Sequence, residues 1–232
     1  MEKVDNGGDR LSLLQDAEQK AQALLAEVER RGHIVAGQTE RQLSDRVYEL
    51  AYELFGTRRH WHKRIVRAGA NTLLPYREDP PNLLISSDDI LFFDFGPVFE
   101  GWEADIGRTY VLGDDPVKRR LMADVEAGWH AGQEYFRQRP EITGSELYAF
   151  SQEFAARKGW EYGGPHCGHL IGRFPHERIL GEEVRNYIHP DNSHRMDEFD
   201  VHGRPRHWVY EIHFVDRARQ IGGFFEQLLT RA

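Results

Sequence analysis

Cysteine is almost absent: 232 residues carry one thiol, Cys167, and three methionines. One thiol cannot close an internal disulfide, so a disulfide framework is excluded and a reducing compartment is expected. No apolar run approaches the roughly 18 residues that a membrane-spanning helix requires. Residues 1–11 are polar and lack the apolar stretch of a secretion signal, so neither a leader nor a membrane partner is expected and cytoplasm is the default location. Positive charge is not in excess either. With 30 Lys and Arg against 38 Asp and Glu the formal net charge is −8, and the short arginine clusters at 58–59, 119–120 and 204–206 read as solvated turns rather than a basic stripe. No nucleic-acid partner is expected. The 40% hydrophobic content suffices for a sizeable core, and the length favours one domain, 1–232.

Periodicity then places helices. Leu14, Ala17, Ala21, Leu24, Leu25 and Val28 recur at three- and four-residue steps, which predicts a helix over 10–31 ended by Gly32. A second begins at Thr39, where Thr39 and Gln42 make a capping box ahead of Leu43, Val47, Leu50, Ala51 and Leu54, with Gly56 as its stop. The punctuation returns 104 residues later: Thr143 and Glu146 repeat the box and Leu147 takes the place of Leu43. A helical stretch over 117–137 precedes it, as the first helix precedes the second. Such a period points to two similar α/β halves rather than a solenoid. The first 36 residues read as a helical extension and 37–232 as the core.

The run LFFDFGPVFEGWEADIGRT, residues 91–109, contains an electrostatic puzzle. Two β-rich runs, 90–96 and 102–112, flank a Pro/Gly turn. Centring the hairpin between Phe99 and Glu100 places Asp94 directly opposite Asp105. Like charges so placed are destabilising, and Asp94 sits among Leu91, Phe92, Phe93 and Phe95, where an unpaired carboxylate is costly. A positive charge should lie between them. The C-terminal run HWVYEIHFVDRARQIGGFFEQLL repeats the arrangement, since strands at 207–215 and 222–229 put Glu211 opposite Glu226. Arg217 and Arg219 are the alternative counter-ions but lie in the turn. Between the hairpins, Gly163–Gly172 frames His169 with glycines that let the backbone approach something closely. Two acidic pairs and one imidazole suit two hard or borderline divalent ions. His60-Trp61-His62 precedes a short strand over 64–68 and reads as exposed turn residues.

The order and setting of Asp94, Asp105, His169, Glu211 and Glu226, with the phrases Asp94-Phe95-Gly96, Asp105-Ile106-Gly107-Arg108-Thr109 and Gly168-His169-Leu170-Ile171-Gly172, resemble the methionine aminopeptidase, aminopeptidase P, prolidase and creatinase superfamily. The resemblance implies an α/β (α+β) pita-bread fold: two pseudo-symmetric halves with a largely antiparallel curved sheet flanked by helices. It implies two divalent cations, manganese first with zinc, cobalt or iron as alternatives. Asp94 would chelate one, His169 and Glu211 mainly the other, and Asp105 and Glu226 would bridge. It further implies a metallopeptidase, an aminopeptidase or dipeptidase of Xaa-Pro type acting on a small peptide as a homodimer. Glu211 would handle the proton of the attacking water, and His176, seven residues after His169, would contact the substrate.

Departures from the family pattern are specific. The loop before the first hairpin, where a histidine is usual, reads Leu74-Pro75-Tyr76-Arg77, so Tyr76, His60 or His62 would have to take its role. Ile212-His213 replaces Pro-Gly after Glu211, and His213, two residues past Glu211 and so on the same strand face, is a further substrate-side candidate. Phe224 stands where prolyl-specific members carry arginine. The separate N-terminal domain of aminopeptidase P, prolidase and creatinase has no counterpart beyond the first helix, and the polar run 177–206, with His189, His194 and His202, reads as a long loop over the site or as solvated surface. A creatinase-like hydrolase of a small non-peptide C–N bond and a non-catalytic pita-bread binding module are the alternatives.

Overall fold

The stripe from Leu14 to Val28 is buried along its whole length, and the helix that carries it, α1 (Gly7–Arg30), stops where the periodicity stops. Gly32 takes φ 64. The amide of His33 then bonds Val28 O and that of Gly32 bonds Glu29 O, a closure that satisfies the last carbonyls. α2 (Glu40–Phe55) and α4 (Gly144–Lys158) both start from the expected boxes, Thr39 with Gln42 and Thr143 with Glu146, and end on left-handed glycines, Gly56 and Gly159. Each threonine cap contributes about 1 kcal/mol. α3 (Pro116–Arg137) starts from Asp115, whose carboxylate accepts from the amides of Val117 and Lys118.

The computed structural model describes residues 7–74, 76–175, 184–200 and 202–229. Its strands are β1 (Ile65–Ala68), β2 (Ile90–Phe95), β3 (Val98–Phe99), β4 (Trp102–Glu103), β5 (Ile106–Val111), β6 (Glu161–Tyr162), β7 (Gly168–Leu170), β8 (Trp208–Asp216) and β9 (Ile221–Leu229). The main sheet runs β1-β2-β5-β9-β8-β6, with β7 also on β8, and its pairings are antiparallel. The order reads the same from either edge: β1, β2 and β5 from the first half meet β9, β8 and β6 from the second at the β5–β9 seam. This is the architecture of two related halves that the repeated capping boxes predict.

Each half has its own core. α1, α2 and the first hairpin supply Leu14, Leu24, Leu43, Val47, Phe93 and Phe95 to one cluster. α3, α4 and the second hairpin supply Leu121, Trp129, Leu147, Tyr210 and Phe214 to the other. The helix read as an extension is therefore a structural part of the first core. Burial of each such large side chain contributes about 1.5–3 kcal/mol. Among the described residues no helix is long and apolar enough to cross a membrane.

Candidate metal centre

The two hairpins deliver carboxylates to the middle of the sheet from equivalent strands. Asp94 lies on β2 and Glu211 on β8, while Asp105 immediately precedes β5 and Glu226 lies on β9. Glu211 and Glu226 face each other in register, as expected. Asp94 and Asp105 do not: the partner of Asp94 is Gly107. The small β3–β4 hairpin turns on Glu100 and Gly101, at φ 53 and 87, which moves the centre of the hairpin on by one residue. Two-residue turns of this kind require positive φ at both central positions. Asp105 consequently approaches Asp94 diagonally. His169 depends on its glycine neighbour, because Gly168 takes φ 138 and a Cβ there would sit 2.1 Å from Val209 O. Glycine at 168 lets β7 close on β8 and carry the ring inward.

Two clusters result. Ligating atoms of His62, Asp94 and Asp105 lie within 4.8 Å of one another, as do those of Asp105, His169 and Glu226, and Asp105 is common to both. His62 Nε2 is 3.1 Å from Asp105 Oδ1 and 3.5 Å from Asp94 Oδ1. His169 Nε2 is 3.2 Å from Asp105 Oδ2. Glu211 stands opposite Glu226, with its Oε1 2.6 Å from His166 Nδ1.

Burial and like charge strain this set. Asp94 is pushed up to about 7 by burial, against the pull of His62 and with a further push from Asp105 and Glu211. Burial drives Glu226 well above the carboxylate range, helped by Asp105, Asp94 and Glu211. Burial also opposes ionisation of Asp105, but His62 and His169 outweigh it and hold that carboxyl below its usual value. Glu211 is likewise lowered against burial, by His166 and then His169. Conversely, burial disfavours the imidazolium forms of His62 and His169, yet Asp105, joined by Asp94 at His62 and by Glu211 at His169, raises each to about 9.

The residues fit divalent cations. Glu226 Oε2 is buried with no hydrogen-bond partner among the described residues. The arginines considered as counter-ions are engaged elsewhere, Arg217 with Glu161 at 3.2 Å and Arg219 with Asp216 at 2.7 Å. Four carboxylates therefore converge where His62, His166 and His169 supply the nearest opposing charge, and oxygen with imidazole donors suits several first-row ions.

The remaining expectations resolve differently. His62 was expected in an exposed turn, but its side chain is only 5% exposed. β1 pairs with β2, Ile65 against Asp94, so the residues just before β1 are carried to the end of β2. His60 is half-buried and pairs through its backbone with Pro97, away from both clusters. His166, unassigned from sequence, contacts Glu211 directly. Tyr76 is exposed at the rim, its ring 5.7 Å from that of His62. His213 is buried and its Nε2 donates to Thr72 O at 2.8 Å, which ties β8 to the turn after β1. His176 lies outside the described residues. So do 177–183 and 201 of the expected covering loop. Its portion at 184–200 is anchored, with the amide of Ile188 on Gly168 O and that of Ser145 on Asn192 O, both at 2.8 Å. Tyr187 packs against the rings of both His166 and His169.

Residues 12–202 match the family described as metallopeptidase family M24. An Xaa-Pro dipeptidase of Lactobacillus helveticus is 29% identical over 147 residues, covering 62% of this chain and 39% of that protein. The chain thus spans about two fifths of the length of this curated relative. Among solved structures, recombinant prolidase from Thermococcus sibiricus superposes with a TM-score of 0.77 at 20% identity, over 97% of this chain and 57% of that one. X-Pro aminopeptidase from Thermotoga maritima gives 0.76 at 20% identity, over 98% and 60%. At such identities the likeness is one of fold, and the fold is pita-bread.

Proposed function

The chain belongs to metallopeptidase family M24, and on that premise we propose that it hydrolyses peptide bonds with two divalent cations, as an Xaa-Pro dipeptidase or aminopeptidase. The observation that carries the reading is the pair of carboxylate–histidine clusters sharing Asp105, beside a buried Glu226 oxygen without a partner. Asp94, Asp105, His169, Glu211 and Glu226 would hold the cations. When bound, the cations supply Lewis acidity to the scissile carbonyl and to the attacking water.

The chain's own groups do the rest. Glu211, kept ionised by His166 and His169 against its burial, accepts a proton from the attacking water and passes it to the leaving nitrogen as the C–N bond breaks. His166, 2.6 Å from Glu211 Oε1, orients that carboxylate. Tyr76, its ring 5.7 Å from that of His62, would meet the substrate, and His176, which matches the family's substrate-side histidine, would take the substrate carbonyl. We give His213 a role in the fold, since one ring nitrogen is committed to Thr72.

A panel of Xaa-Pro dipeptides, Met-peptides and small amides, run with manganese and with Asp105→Ala as control, tests the reading. Turnover of Xaa-Pro substrates that the variant lacks is expected. Turnover of small amides alone would move the assignment to a creatinase-like hydrolase, and activity that survives in Asp105→Ala would overturn the site.

A further inference from the structure

His62 lies outside the five residues that the sequence pattern assigns to the centre, yet it reaches the same carboxylate as His169. Its Nδ1 is 2.6 Å from the carbonyl of the next residue, Lys63, and its Nε2 is 3.1 Å from Asp105 Oδ1. His169 repeats the arrangement. Its Nδ1 is 2.9 Å from the carbonyl of the next residue, Leu170, and its Nε2 is 3.2 Å from Asp105 Oδ2. In each ring the carbonyl fixes Nδ1 as the N–H donor and leaves Nε2 aimed at the carboxylates. A backbone carbonyl on the outer nitrogen is the usual way in which a ligating imidazole is oriented.

The surroundings are built to hold His62 there. Trp61 donates from Nε1 to Ala104 O at 3.0 Å, and its amide donates to Gly96 O at 2.9 Å. The indole stands edge-on to both rings, 4.4 Å from His62 and 5.3 Å from His169 between centroids. Gly96 leaves the space, because a Cβ at that position would lie 2.2 Å from His62 Cδ2 and 2.4 Å from Nε2. The side chain is nearly inaccessible and both nitrogens are aimed inward, which does not suit a group that receives substrate from solvent.

We propose that His62 is a ligand of the centre, binding through Nε2 the cation held by Asp94 and Asp105, so that each of the two cations takes one imidazole. The inference rests on the two-cation reading above. Its consequence is a donor set moved from the all-oxygen chemistry of magnesium and calcium toward that of zinc, cobalt and iron.

The test is a cobalt titration of the chelator-stripped full chain, followed by optical absorption and by proton NMR of the loaded protein. Each imidazole bound to paramagnetic cobalt through Nε2 shows its Nδ1–H as a strongly shifted, solvent-exchangeable resonance. The wild type is expected to take two equivalents and show two such resonances. His62→Gln is expected to keep one resonance and to bind one equivalent more weakly by at least the roughly 10-fold that loss of an outer-shell partner of a ligand costs. Two equivalents with a single resonance in the wild type would overturn the proposal and leave the two-cation reading standing. A wild type that takes up no cobalt would overturn both. The wild-type count needs no variant, so a variant that fails to fold does not shelter the proposal.

Discussion

Replacing Glu226 by glutamine should shift stability in opposite directions with and without divalent cation. Glu226 is 2% exposed, and its Oε2 has no hydrogen-bond partner among the described residues. Burial, then Asp105, Asp94 and Glu211, hold its carboxyl well above its ordinary 4.5 in the fold. A carboxyl raised in this way costs nothing below that ordinary value, where folded and unfolded chains are both protonated. The cost grows as pH rises, because the unfolded chain releases the proton and the folded one does not. From pH 4.5 to 7 the ceiling is about 3 kcal/mol, at 1.36 kcal/mol per pH unit. Glutamine keeps the shape without the titration. In chelator at pH 7 the variant should therefore melt up to about 10 °C above wild type, at roughly 2–4 °C per kcal/mol for a chain of this size. The gain should vanish near pH 4. With cations present the order reverses, because two ligands, each bound at 100 times its dissociation constant, stabilise together by about 5 kcal/mol and a variant that forfeits most of that loses more than the gain in chelator. Thermal unfolding followed by circular dichroism at the two pH values, with chelator and with manganese, reads every term. A variant less stable than wild type in chelator at pH 7, or one with the full manganese-induced rise, would refute the reasoning.

Other perturbations test separate parts of the account. Glu18 on α1 is raised to about 7 by burial, against the pull of Arg108, so the stability of Glu18→Gln relative to wild type should improve by up to about 3 kcal/mol between pH 4 and 7, measured by urea unfolding at each pH. Gly168→Ala must accommodate a Cβ 2.1 Å from Val209 O at φ 138, and should detach β7 from β8, with loss of hydrogen-exchange protection there and of the cation proposed for His169. Thr143→Ala removes the acceptor for the Glu146 amide and should lower stability by about 1 kcal/mol, read as a melting temperature a few degrees lower, with cation stoichiometry unchanged.

Much of this was legible in the sequence because local chemistry decided it. The boxes at Thr39 and Thr143 satisfy amides three residues away, so they fix helix starts without help from the rest of the fold. The Glu211–Glu226 register followed from a short hairpin between two long strands. The first hairpin was misregistered because its turn uses Glu100, a non-glycine residue at positive φ that no local pattern announces. His62 was hidden for a different reason. It reaches the centre through the pairing of β1 with β2, and through the space that Gly96 leaves for its ring, neither of which is a property of its own neighbourhood in the chain. His166 stands three residues before His169 and was passed over because its partner, Glu211, comes from a strand 45 residues further on.

The central claim is that Asp105 is the shared carboxylate of two cation positions, and anomalous scattering from a manganese-loaded crystal tests it most directly. The account predicts two peaks, one beside Asp94, Asp105 and His62 and the other beside Asp105, His169 and Glu226. A single peak remote from Asp105, or no peak at manganese concentrations that support turnover, would contradict it.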